Sequence, residues 1–230
     1  MTFTTSAGIH GESLAEFGVF GVFAGAKRMG RLLDLQGRHE WGSGFIMGTV
    51  RESTVLVVGL GGIGQTTAAK LSALGARVVG VHRREIEVPG VDRVVPVERF
   101  AEAAAEADAI VLCLPGTDAT REMLSAEVIA AAKPGVTIVN VGRGSTIDEP
   151  ALIAALHSGQ VGAAVLDVAS VEPLPPGHPL WSAPNLLLSP HTAAETPGDQ
   201  RAITELVADN ARRLLDGEPL RNVVDTVEFY

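Results

Sequence analysis

Short apolar, β-branched runs alternate along the chain with longer stretches in which apolar side chains recur at helical spacing. The runs at 55–58, 77–81, 109–114, 136–141, 162–167 and 185–189 have the length and composition of strands buried on both faces. Between them the spacing predicts helices over 65–74, 97–107, 125–132, 148–158 and 198–216, and a longer one over 11–36 carrying Leu14, Phe17, Phe20, Ala24, Leu32 and Leu33. Asp148 is placed to N-cap one helix, with Pro150 in its first turn and Gly159 past its end. Gly217 ends the last helix in the same way. Strands alternating with helices of this length predict an α/β fold, a doubly wound parallel sheet with flanking helices. Gly18, Gly21 and Gly25 would thin one face of the first helix so that another helix can approach; the plainer reading is weak helix propensity, about 1 kcal/mol each relative to Ala. The pattern divides the chain into a helix and connector (1–45), a sheet domain (46–195), and a C-terminal helix and tail (196–230). Pro173, Pro175, Pro176 and Pro179 mark a stiff loop near the end of the sheet domain.

One segment carries chemistry on its own. Gly59, Gly61 and Gly64 form a G-x-G-x-x-G set directly after the first strand and directly before a helix. In that context Gly59 allows the turn, Gly61 lets the backbone approach a pyrophosphate, and Gly64 lets helix and strand pack closely. The phosphates would sit on the helix N-terminus, where free N–H groups and the dipole favour anions. This makes the sheet domain a Rossmann-type NAD(P)-binding domain; the plainer alternative is a βαβ unit that binds nothing. The end of the second strand bears on which dinucleotide. NAD sites place an acidic residue about 20 positions after the fingerprint to hold the ribose 2′-OH. Here His82, Arg83 and Arg84 occupy that position, and guanidinium groups bind a 2′-phosphate that a carboxylate would repel. NADP(H) is therefore favoured and NAD(H) remains possible, because Arg83 and Arg84 could also be solvated charges partly neutralised by Glu85.

Composition removes other classes. The net charge of −9 argues against non-specific binding to nucleic acid or to an anionic membrane. The longest uncharged apolar run, 17–26, is too short to span a bilayer. The N-terminal residues show no basic region followed by an apolar one, so a cytoplasmic location is expected. The single cysteine, Cys113, lies in an apolar run and reads as a small buried hydrophobe. The histidines at 10, 39, 82, 157, 178 and 191 show no metal-ligand spacing.

In open α/β sheets ligands bind beyond the carboxyl ends of the strands. There the run 136–141 leads into Gly142-Arg143-Gly144, the run 162–167 ends in Asp167 with Glu172 soon after, and the last run leads to Pro190-His191. An arginine, a glutamate and a histidine on one rim suit reversible hydride transfer to a 2-oxo acid. Arginine would clamp the carboxylate and polarise the ketone. Histidinium would protonate the oxygen, and a neighbouring carboxylate would hold the imidazole in orientation. Trp181 reads as a loop anchor or as a substrate contact.

These stretches together, Val58-Gly59-Leu60-Gly61-Gly62-Ile63-Gly64, Asn140-Val141-Gly142-Arg143-Gly144, Leu166-Asp167-Val168, Glu172-Pro173-Leu174-Pro175 and Ser189-Pro190-His191, resemble the D-isomer-specific 2-hydroxyacid dehydrogenases in order and spacing. The similarity runs from about Thr4 to Asp225. It implies Arg143, Glu172 and His191 as the catalytic arginine, glutamate and histidine. It also implies Asp167 beside the nicotinamide carboxamide, Gly62 and Ile63 in the pyrophosphate turn, Leu114, Pro115 and Thr120 near the adenosine half, and Val141, Gly142 and Arg143 under the nicotinamide. His191 and Ala193 complete the implied cofactor set. The basic His82-Arg83-Arg84 is similar to NADPH-preferring glyoxylate or hydroxypyruvate reductases of the family. The family also implies a homodimer.

Family members carry an N-terminal substrate lobe before the equivalent of Thr4, with a glycine-containing loop that binds the substrate carboxylate. Here Met1 stands close to the inter-domain helix, so the resemblance implies an open site. Lost orientation and desolvation cost several kcal/mol of barrier. Three readings follow: a 2-oxoacid reductase that finds the missing wall elsewhere, a cofactor-binding dimerisation module of little turnover, or a shortened product whose motifs are inherited.

Overall fold

The computed structural model describes residues 2–42 and 44–224. Strands β1 (Thr54–Val58), β2 (Arg77–Val81), β3 (Arg93–Val95), β4 (Ala109–Leu112), β5 (Val136–Asn140), β6 (Val161–Leu166) and β7 (Leu186–Leu188) form one sheet. Its order is β3-β2-β1-β4-β5-β6-β7, and every neighbouring pair is parallel. The helices are α1 (Gly11–Ala26), α2 (Met29–Gly37), α3 (Gly62–Ala73), α4 (Phe100–Glu106), α5 (Ala126–Ala131), α6 (Glu149–Ser158) and α7 (Asp199–Asp216).

Both faces of the sheet are covered. Leu56, Val58, Ile110, Leu112 and Ile138 pack against Phe100, Ala104, Ile129, Leu152 and Leu156 of α4, α5 and α6. Their neighbours Val55, Val57, Val111 and Val139 point the other way, onto Val22 of α1 and Ala68 and Leu71 of α3. Each such valine or leucine contributes roughly 1.5–3 kcal/mol on burial. Burial on both faces is why the runs are continuously apolar rather than alternating. Asp148 caps α6 as expected, accepting the Ala151 N–H at 3.0 Å, and Gly159 ends that helix at φ 81°.

Four local features depart from the sequence expectation. The short edge strand β3 was not anticipated, because three residues are too few to show a period. The helix expected over 11–36 breaks at Arg28, which adopts φ 52°. Lys27 Nζ donates to Gly48 O (2.9 Å) and Arg28 Nε to Ile46 O (2.7 Å), so the connector's carbonyls draw this basic pair out of the helix. Residues 97–99 form a 3₁₀ turn before α4 begins. Finally, the small face of α1 meets mainly the sheet: a Cβ on Gly21 would lie 2.6 Å from Val139 Cγ1, and one on Gly25 would strike Thr137, while Gly18 faces both Thr67 of α3 and Val111 of β4. Helix α1 thus shares the core of the sheet domain rather than standing apart from it. The described chain ends also pair, Thr4 bridging Val223 in antiparallel fashion.

Candidate functional site

Register places the site. Val95, Val81, Val58, Leu112, Asn140, Leu166 and Leu188 pair successively across the sheet in one row. One step further, His82, Gly59, Cys113, Val141, Asp167 and Ser189 therefore emerge along a common rim. The winding reverses between β1 and β4, and at such a switch point α/β sheets open a ligand crevice.

The fingerprint glycines divide into two kinds. Gly59 stands at φ +93°, with its absent Cβ 2.9 Å from Cys113 O, and a Cβ on Gly64 would run into Gly59 O. Both serve the protein's own packing. Gly61 has an ordinary extended backbone (φ −75°), and a Cβ on Gly61 or on Gly62 would meet nothing within 4 Å. Space lies open in front of α3. That helix has no side-chain cap and no acid in its first turn, whereas Ser125 caps α5 and Asp148 caps α6. Its first N–H groups, including those of Ile63 and Gly64, keep their capacity for an anion, and the residues present fit a dinucleotide pyrophosphate.

At the end of β2, His82 Nδ1 accepts the Arg84 N–H (3.1 Å), folding a basic turn on which Arg83 and Arg84 are exposed. Leu114 is pressed between two bare backbones: a Cβ on Gly59 would sit 2.9 Å from Leu114 Cδ2, and one on Gly142 would sit 2.8 Å from Leu114 N. Thr120 closes the following loop, its hydroxyl donating to Pro115 O (2.6 Å) and accepting from Thr117 N (2.9 Å). Burial pushes the Cys113 thiol up to about 12, against an opposing hydrogen bond with Thr67.

Arg143 follows β5 on a turn that Asn140 organises. The buried Asn140 accepts the Gly142 N–H at 2.9 Å and donates to Arg143 O at 3.0 Å. Thr146 adds two more bonds to that carbonyl, from its hydroxyl at 2.7 Å and its N–H at 3.1 Å. The Arg143 side chain itself is exposed, with Nη1 donating to Gly142 O (2.7 Å). Sequence reasoning did not single out Asn140. Its signal was an asparagine at a strand end before a glycine-containing turn, where a short amide bonds its own backbone.

His191 and Glu172 meet at 2.7 Å between Nδ1 and Oε2. The other Glu172 oxygen accepts the Ala169 N–H (2.9 Å). Burial alone would raise the Glu172 carboxyl. The His191 hydrogen bond, the Ala169 N–H and the charges of His191 and Arg143 outweigh it and hold Glu172 below its ordinary value. Nε2 of His191 has no protein hydrogen-bond partner among the described residues, and the side chain is 46% exposed. Asp167 is buried, and its Oδ1 accepts the N–H groups of Thr192 and Ala193, both at 3.0 Å. Asp167 and Ala193, both expected at the cofactor, are thus bonded to each other as part of the turn that carries His191.

These groups border a cleft of about 630 Å³ whose walls include Asp167, Glu172, Leu174, Trp181, Leu188 and His191. Trp181 anchors its loop through Nε1 to Pro175 O (2.8 Å) while forming part of the wall. Arg143 is not a wall of this cleft and bears on it through its charge on Glu172. Arg83 and Arg84 lie at the β2 end of the rim, across the switch point. Among the described residues no group of three or more His, Cys, Asp or Glu could hold a metal ion.

An all-parallel sheet of this order, with an uncapped glycine turn at the switch point, defines a Rossmann-type nucleotide-binding domain. The profile of the D-isomer specific 2-hydroxyacid dehydrogenase NAD binding domain matches residues 19–193. The chain belongs to that family. It is 39% identical over 178 residues to an uncharacterised protein of Corynebacterium melassecola, matching 77% of this chain and spanning 58% of that relative's length. Among solved structures it resembles a D-isomer specific 2-hydroxyacid dehydrogenase from Xanthobacter autotrophicus in complex with NADPH and MES. There the TM-score is 0.90 and the identity 34%, over 100% of this chain and 94% of the other. It also resembles an NADPH-dependent glyoxylate/hydroxypyruvate reductase from Sinorhizobium meliloti solved with NADP and sulfate, at TM-score 0.88 and 30% identity, over 96% of this chain and 70% of that one.

Proposed function

We propose that this chain binds NADP(H) and carries the acid–base machinery for reducing a small 2-oxo acid to a D-2-hydroxy acid. The observation that carries the reading is the His191–Glu172 pair at 2.7 Å on the rim shared with the uncapped start of α3. NADPH, when bound, supplies the hydride. Glu172 accepts from Nδ1 of His191 and fixes the imidazole, which leaves Nε2 to deliver a proton to the substrate oxygen as it gains charge. Arg143, exposed at the end of β5, binds the substrate carboxylate and polarises the carbonyl. Arg83 and Arg84 bind the 2′-phosphate, which favours NADPH over NADH. The exposed apolar side chains of Leu33, Trp41 and Ile46, on α2 and the connector, support a homodimer through that surface.

The test is oxidation of NADPH, with NADH in parallel, by this chain against glyoxylate, hydroxypyruvate, pyruvate and phenylpyruvate. His191→Ala serves as the blank, since removing a general acid lowers turnover roughly a hundred- to ten-thousand-fold. Turnover in the native chain, lost in the variant while NADPH affinity stays within a few-fold, is the expected result. Equal activity in His191→Ala would refute the assigned acid. Binding of NADPH by a folded chain that reduces none of the four acids would favour a cofactor-binding dimerisation module instead.

A further inference from the structure

A second histidine–glutamate pair lies outside the cleft. Glu149 opens α6 but is not needed to cap it, because Asp148 does so. Its carboxylate is buried and turned away from its own helix, and an acid in such a place demands partners. It has two. Oε2 accepts the Ser170 N–H at 3.0 Å, and Oε1 lies 3.2 Å from His178 Nε2. The other ring nitrogen, Nδ1, accepts the Leu180 N–H at 3.3 Å, which in the neutral imidazole leaves the proton on Nε2, the nitrogen beside Glu149. Glu149 therefore grips both arms of the loop between β6 and β7, one arm just before Glu172 and the other just before Trp181. On the first arm consecutive N–H groups serve two different carboxylates: Ala169 donates to Glu172 and Ser170 to Glu149. The same two residues rest on Gly144, beside Arg143, so closely that a Cβ on Gly144 would strike the Ala169 carbonyl.

We propose that Glu149 and His178 are positioning residues for the Glu172–His191 pair, a brace from α6 that fixes where Glu172 stands relative to the imidazole and to Arg143. The proposal rests on the acid–base role assigned above, but its geometric part has a readout that needs no turnover. Two-bond ¹H–¹⁵N correlation spectra of the imidazoles report the tautomer of each histidine in the full chain. In the native protein His178 is expected as Nε2–H and His191 with its proton on Nδ1, facing Glu172. Glu149→Gln keeps an oxygen for Ser170 but sets an amide N–H₂ against His178 Nε2–H, so two donors meet and the brace opens. The His191 Nδ1–H population should then fall toward that of Glu172→Gln. With an active chain kcat should drop by up to roughly a hundred-fold, the scale of a small misplacement, at unchanged NADPH affinity. Should Glu149→Gln fail to fold, His178→Ala and His178→Gln decide. Alanine loses the contact with Glu149 and glutamine restores a donor there, so only the glutamine variant should keep the native His191 spectrum. Native spectra in both Glu149→Gln and His178→Ala would overturn the brace. Altered spectra in a chain that reduces no 2-oxo acid would uphold it while refuting the reductase.

Discussion

Alanine at Gly61 and alanine at Gly64 should have opposite consequences, although both glycines belong to one fingerprint. Gly61 has backbone angles open to any L-residue, and its Cβ would meet no protein atom within 4 Å. As an N-cap it gives up roughly 0.5–1 kcal/mol to alanine, and the loss of chain freedom in the unfolded state returns about 0.4–1 kcal/mol. Stability should change by less than about 1 kcal/mol, a Tm shift within roughly 4 °C for a domain of this size. That methyl group would nevertheless stand in the open space before α3. A pyrophosphate there must retreat from the helix N–H groups, and one charge-assisted hydrogen bond lost is worth about 1.5–3 kcal/mol, or roughly ten- to a hundred-fold in affinity. Gly64→Ala instead drives a Cβ into Gly59 O, a backbone atom that cannot swing aside. Helix α3 must withdraw from β1, loosening the fully buried Ala68 and Leu71, and overpacking of this kind costs typically about 1–3 kcal/mol. Thermal unfolding and NADPH titration by calorimetry, run on both variants, separate the cases. Full NADPH affinity in a folded Gly61→Ala protein would show that no phosphate lies over that residue, and the division of the glycines into structural and ligand-facing would fall.

Two other outcomes follow from the same geometry. Replacing Arg83 and Arg84 together by Ala should weaken NADPH roughly ten- to a hundred-fold while leaving NADH nearly unchanged, on the scale of one charge-assisted bond lost; parallel losses for both cofactors in equilibrium titrations would refute the 2′-phosphate role. Glu172 is held below its ordinary value in the folded state, so its contribution to stability is complete above the ordinary carboxylate range and is lost as pH falls through the lowered one. Denaturant unfolding at a series of acid pH values should show Glu172→Gln losing stability less steeply than the native chain on that acid side, and identical slopes would contradict the sign.

Much of this was readable in the chain because several signals were local and agreed. Strand runs fully buried on both faces, the Asp148 cap and the glycine turn each depend on neighbours in sequence. The six anticipated strands and the rim order of Gly59, Arg143, Asp167 and His191 followed from them. What escaped depends on distant partners. The break at Arg28 arises from carbonyls of residues 46 and 48, which no helical periodicity can report. The small face of α1 announced a close approach that was expected of another helix, and β5 makes most of it. Glu149 carries in the sequence only the mark of a first-turn acid, favourable to the helix dipole, and its partners Ser170 and His178 lie more than twenty positions away. Asp167 was expected at the cofactor, whereas its bonds to Thr192 and Ala193, which cross from one strand end to the next, have no signal in the sequence.

Those bonds also account for an unusual backbone. His191 adopts φ 59°, a left-handed conformation that costs a residue with a side chain about 1–2 kcal/mol. Its own N–H donates to Asp167 O at 2.9 Å, and the next two N–H groups donate to Asp167 Oδ1. At an ordinary net worth of about 1 kcal/mol per bond, these three exceed the strain. The backbone that carries the imidazole is therefore set by the 191–193 turn, clamped to the end of β6. Glu172 is placed independently, by a loop tied to Ala169 and to α6. The backbone of each partner is thus held from a different element, and the 2.7 Å contact between them then fixes the imidazole. A pair built in this way keeps its geometry while β6 and α6 keep theirs, so an exposed loop can present an acid–base group with the precision of the sheet behind it.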